Sequence, residues 1–133
     1  MFNAHDIHVL SNNILSFPTV IYNEANSYNS STGHFIAPVD GIYYFVVQIC
    51  TQSGYPVSYF IEKGDSNMNG ATRLLTTYQD TTPSTSCSSR STYVKLRQNE
   101  HAWVLATTNY GDTYFDRHIG GYNMFMGMLI QEI

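Results

Sequence analysis

The chain is 133 residues long with a net charge of −4, and charged residues make up only 12 % of it, about half the share of an ordinary soluble protein. That length suits one domain, able to bury roughly two thirds of its unfolded surface without a metal or disulfide to hold it. The six Lys and Arg are dispersed, Lys95 and Arg97 being the densest pair, so no basic stripe exists to meet nucleic-acid phosphates, and no apolar run approaches the length of a membrane-spanning helix.

The opening MFNAHDIHVL lacks the basic and then apolar profile of a secretory signal, which suits a mature extracellular chain or a cytosolic protein alike. His5 and His8 stand there in a stretch that reads as a solvated segment. Short β-branched and aromatic runs then recur between turn residues, with no sustained helical period. FPTVIY (17–22) is the first predicted strand. GIYYFVVQIC (41–50) is apolar on both faces, Tyr43, Phe45, Val47 and Ile49 on one and Ile42, Tyr44 and Val46 on the other, so it is expected in the middle of a sheet and covered on both sides. VSYFIEK (57–63) and TRLLTTY (72–78) follow. STYVKLR (91–97) alternates, with Val94 and Leu96 inward and Tyr93, Lys95 and Arg97 outward. HAWVLAT (101–107) and YNMFMGMLIQEI (122–133) complete the series, with long loops at 79–90 and 108–121. This pattern predicts one all-β domain, an antiparallel sandwich.

Between two of these strands lies GDSNMNG (64–70), whose D-x-N-x-N-G spacing matches the start of a calcium-binding helix–loop–helix site. Its twelfth position is Thr76 rather than a bidentate carboxylate, its flanks are strands, and Asn-Gly is a strong hairpin signal. It reads as a turn. Cys50 and Cys87 are too far apart for CxxC chemistry, which leaves a bridge, two buried thiols or one reactive thiol. Cys50 ends the central strand and Cys87 precedes STYVKLR; if strands alternate in direction, both fall at the same end of the sandwich, so a disulfide is expected. In the closing strand Phe125, Gly127 and Leu129 point one way and Met124, Met126, Met128 and Ile130 the other. A terminal strand apolar on both faces is either central under a loop or a subunit contact, and the contact is favoured.

The run TGHFIAPVDGIYYF (32–45) fits T-G-x-F-x-A-P-x-x-G-x-Y-x-F. With FPTVIYNEANSYN (17–29), LRQNEHAWV (96–104) and FMGML (125–129), it resembles the complement C1q globular-head family over residues 17–133. Asn99 stands where that family usually has Gly. The resemblance implies a jelly-roll β-sandwich like that of tumour necrosis factor, with residues 1–16 as a short N-terminal extension, and assembly as a homotrimer through Met124, Met126 and Met128. No Gly-X-Y stalk is present, so the chain looks like a stand-alone head. Such heads imply secreted recognition of glycans or microbial surfaces in innate immunity, or, alternatively, a cytokine-like or structural head that binds a protein receptor and no sugar.

No nucleophile elbow, phosphate loop, H-E-x-x-H or zinc pattern occurs, and the five His are scattered, so an enzyme is not expected. His34 is expected to point outward from a strand. Binding is better supported. The segment TTNYGDTYFDRHIGGY (107–122) sets Tyr110, Tyr114 and Phe115 among Asp112, Asp116, Arg117 and His118. A sugar wants a flat aromatic face and planar polar groups, and an Arg suits a carboxylate. The competing reading is that the aromatics cap the core and the charges are solvated. Loop 79–90, with Arg90, is a second candidate, and Asn29-Ser30-Ser31 is a lone glycosylation sequon. No cofactor is expected to be obligatory, no metal ligand set is assigned, and calcium is possible.

Overall fold

In the computed structural model, which describes residues 1–80, 83–118 and 120–133, twelve strands appear among the described residues. In chain order they are β1 (Phe2–His5), β2 (His8–Val9), β3 (Leu15–Ser16), β4 (Thr19–Asn23), β5 (Tyr28–Asn29), β6 (His34–Ile36), β7 (Gly41–Thr51), β8 (Val57–Gly64), β9 (Thr72–Gln79), β10 (Ser86–Leu96), β11 (His101–Ala106) and β12 (Met124–Glu132). Two five-stranded antiparallel sheets, ordered β10-β7-β12-β1-β4 and β5-β6-β11-β8-β9, face each other. The alternation predicted for the sequence sets what they enclose. From the first sheet Phe2, Ala4, Tyr43, Phe45, Val47, Ile49, Val94, Leu96 and Phe125 are buried; from the second come Phe35, Val57, Tyr59, Ile61, Ala102, Val104 and Ala106.

The expected sandwich is present, and GIYYFVVQIC does lie within a sheet, between β10 and β12. Its second face is only half-buried at Ile42, Tyr44 and Val46. Among the described residues, nothing covers it fully. Residues 1–16, expected as a solvated extension, are instead built into the fold. β1 inserts between β12 and β4, with Phe2 opposite Gly127 and Asn23. Phe2 is fully buried, stacked on Tyr28 at 4.8 Å and edge-on to Phe125 at 5.0 Å. Burial of such a ring contributes roughly 1.5–3 kcal/mol, which outweighs the weak strand propensity of its polar neighbours.

Two glycines are required by geometry. A Cβ at Gly127 would come within 2.7 Å of both Phe2 and Phe45, so the ring of β1 can cross β12 only there. Gly33 turns into β6 at φ +74°, a left-handed conformation that disfavours side chains. β10 begins at Ser86, five residues earlier than expected, which shortens the loop and puts Arg90 on a strand opposite Val47. Thr81 and Thr82 of that loop, and Ile119 of the 107–122 segment, lie outside the described residues. Cys50 and Cys87 form the expected disulfide as direct register partners on β7 and β10. In the chain-entropy account, closing that loop contributes about 3–4 kcal/mol.

Candidate functional site

The segment between β11 and β12 gathers at one end of the sandwich with the β7–β8 loop and β2. A short 3-10 turn, Asp112–Tyr114, leads into Phe115, which bridges Thr51 and is fully buried. Asp116 is buried as well: its N–H donates to Cys50 O at 2.9 Å, and its Oδ1 accepts from His118 N–H at 2.9 Å. Asn123, 2 % exposed, clasps the two segments, accepting from Cys50 N–H at 2.7 Å and donating to Asp116 O at 2.8 Å.

Most of the residues expected to meet a sugar are therefore committed to holding the fold. Tyr110 packs on the core, and its hydroxyl accepts from Ser58 N–H at 3.1 Å. Tyr114 also packs on the core and donates its hydroxyl proton to Pro56 O. Asp112 receives Val9 N–H at 3.0 Å and His8 Nδ1 at 2.7 Å. Burial pushes the Asp112 carboxyl up, but these hydrogen bonds, with the charges of His8 and Arg117, hold it below its ordinary value. His8 is thus tied down rather than loose. Only Arg117 and His118 remain exposed, beside a recess of about 340 Å³ that Gln52, Thr113 and Phe115 also line. Tyr55, which composition did not single out, stacks its ring on Tyr114 at 4.6 Å, and its N–H donates to the O of Gln52, one of the recess residues, at 3.2 Å. The signal was there in SGYP, an aromatic between turn residues.

A second surface is the outward face of the β10-β7-β12-β1-β4 sheet. Register sets Ser91, Val46, Met126, Asn3 and Tyr22 in one row, and Tyr93, Tyr44 and Met128 in the next. Met124, Met126 and Met128 are all half-buried on this face, and Tyr44 and Tyr93 pack ring to ring at 4.7 Å. The Asn3 side-chain oxygen is shielded from solvent, with no hydrogen-bond partner among the described residues.

The C1q domain family profile matches residues 2–130. The chain belongs to that family. Over 116 residues it is 25% identical to complement C1q tumor necrosis factor-related protein 2 of Homo sapiens, covering 87% of this chain and 38% of that protein. The Mus musculus counterpart is 24% identical, with 87% and 37% covered. The chain thus spans well under half the length of these curated relatives. The globular domain of zebrafish complement 1qA protein superposes with a TM-score of 0.74 at 15% identity, covering 99% of this chain and 98% of that one. That likeness concerns the jelly-roll fold alone.

This C1q domain carries one further cluster, on the outward face of its other sheet. His34 does point outward, as expected, yet it is only 5% exposed. Its ring stacks on fully buried Trp103 at 4.8 Å, and its Nδ1 meets the Nδ1 of His101 at 2.9 Å. One nitrogen must carry a proton and the other must not. Burial, then the neighbouring His101, pushes the His34 pKa down to about 4; burial also lowers that of His101, against the pull of Asp65. Asn29, Asn12 and Asn67 line the same recess. Asn67 belongs to the GDSNMNG stretch, which connects β8 to β9 as a hairpin with Met68 N–H on Asp65 O at 3.1 Å. Among the described residues, no group of three or more His, Cys, Asp or Glu is placed to hold a metal.

Proposed function

We propose that this C1q domain is a secreted, homotrimeric recognition protein of innate immunity that binds glycans or microbial surface ligands through the loops at the disulfide end of the sandwich. It acts by binding, without catalysis and without an obligatory cofactor. The observation that carries the trimer is the outward face of the β10-β7-β12-β1-β4 sheet, where Val46, Tyr44 and the methionines of β12 form a patch that no described part of this chain covers fully. Further copies of the same chain are the occupants that fit. Each copy brings the same apolar face. Trimerisation puts three copies of the loop end on one side, which suits a repetitive surface.

Sedimentation of the purified chain is expected to give a species of three chain masses, and a monomer at micromolar concentration overturns the assembly. An array of neutral and acidic glycans, run with and without a calcium chelator, tests recognition and its calcium dependence together. A second reading, a head that binds a protein receptor without sugar, draws on the match to tumor necrosis factor-related protein 2. An array on which nothing binds favours it.

A further inference from the structure

Four tyrosines from three parts of the chain meet at the disulfide end. Tyr55 comes from the β7–β8 loop, Tyr78 from the end of β9, and Tyr110 and Tyr114 from the segment after β11. Tyr114 stacks between Tyr110 and Tyr55, at 4.6 Å to each. Burial, then the adjacent Tyr110, Tyr55 and Tyr78, raises the pKa of Tyr114, so the other three all lie close enough to act on it. The two inner rings have their hydroxyls engaged and rest on the core. Tyr55 differs. One side of its ring is covered by Tyr114, yet the residue is 45% exposed, so its other side is open to water.

Its position is fixed from beneath. Gln52 N–H donates to Tyr114 O at 3.0 Å, Gln52 Nε2 donates to Phe115 O at 3.2 Å, and Tyr55 N–H returns to Gln52 O at 3.2 Å. Gly54 makes the turn at φ +80°. An exposed ring held this way loses little freedom when a ligand arrives. Gln52 also lines the recess shared by Thr113, Arg117 and His118. Arg117 lines it as an exposed residue, and its charge is felt at Asp112.

We infer that the open face of Tyr55 is the stacking platform of a saccharide site that continues through Gln52 into the recess lined by Thr113 and Arg117, which select a pyranose that carries a carboxylate. The negative face of the aromatic ring attracts the polarised C–H groups of a sugar while excluding water from them. The side-chain amide and hydroxyl suit sugar hydroxyls, and the guanidinium fork matches a carboxylate in a way a point charge cannot. This deepens the glycan reading above and rests on it.

The test is an acidic and neutral glycan array probed with wild type, Tyr55→Ala, Tyr55→Phe and Arg117→Gln, each checked for its thermal midpoint and its sedimentation. Tyr55→Ala is expected to weaken binding at least tenfold with the midpoint and assembly unchanged, and Tyr55→Phe to retain it. Arg117→Gln should abolish the preference for carboxylated over neutral sugars. If wild type binds and Tyr55→Ala binds equally well, the platform is wrong and the glycan reading survives. If wild type binds no glycan on the array, both fall.

Discussion

At the scale of single residues, departures from the family pattern have physical causes. Asn99, where the resemblance leads one to expect Gly, has a φ of +69°. Its N–H donates to Ala37 O at 2.8 Å, which locks the left-handed turn between β10 and β11. Asn tolerates that conformation where most side chains do not. Asn99→Gly should leave stability nearly unchanged, while Asn99→Ala should lower it by about 1–2 kcal/mol in urea unfolding; equal effects would mean that backbone conformation does not select the residue. His34 has a pH signature. Its pKa in the folded protein, about 4, lies below its ordinary value of 6.5, so the unfolded chain takes up the proton first. Stability is therefore complete above about pH 6.5 and is lost as pH falls towards 4. The groups facing it are His101 and Trp103, with Asp65 acting on His101. His34→Gln, which cannot titrate, should flatten the drop in unfolding midpoint between pH 7 and pH 5. An identical slope in both proteins would remove His34 as the cause.

Among elements, β1 is the instructive case. Four residues with Asn and His at alternate places carry too little apolar signal to be read as a strand, yet their inward pair, Phe2 and Ala4, fills the gap above Gly127. Phe2→Ala is expected to cost about 3–5 kcal/mol by chemical denaturation, whereas a peripheral extension would lose almost nothing. β7, β8, β11 and β12 were legible because each has a continuous or alternating apolar run. The start of β10, SCSSR, was not, because small hydroxyl residues carry turn signals and its pairing comes from β7 rather than from local preference. The same logic divides the candidate site. Composition singled out the 107–122 segment, but it could not tell that Tyr110, Tyr114, Asp112 and Asp116 would be used up by Ser58, Pro56, Val9 and the backbone around Cys50. Those partners are distant in sequence, and only the fold brings them near.

For the whole molecule, the proposed assembly rests on one face. Met126 sits in the central row of the outward sheet face, between Val46 and Asn3. In the proposed trimer, Met126→Glu should place a desolvated charge in each contact and shift sedimentation to the monomer. A variant that remains trimeric would move the interface elsewhere. The pairing of β1 with β12 has a further effect, on biosynthesis. The two strands are hydrogen-bonded neighbours, yet almost the whole sandwich lies between them in sequence. At translation rates of about 5–20 residues per second, β1 waits on the order of ten seconds for its partner to leave the ribosome. Throughout that time the edges of β1 and β7 that face β12 stay unpaired, although Phe2 can already meet β4 and Tyr28. A premature stop before Met124 therefore leaves both strands with an open edge where β12 would pair.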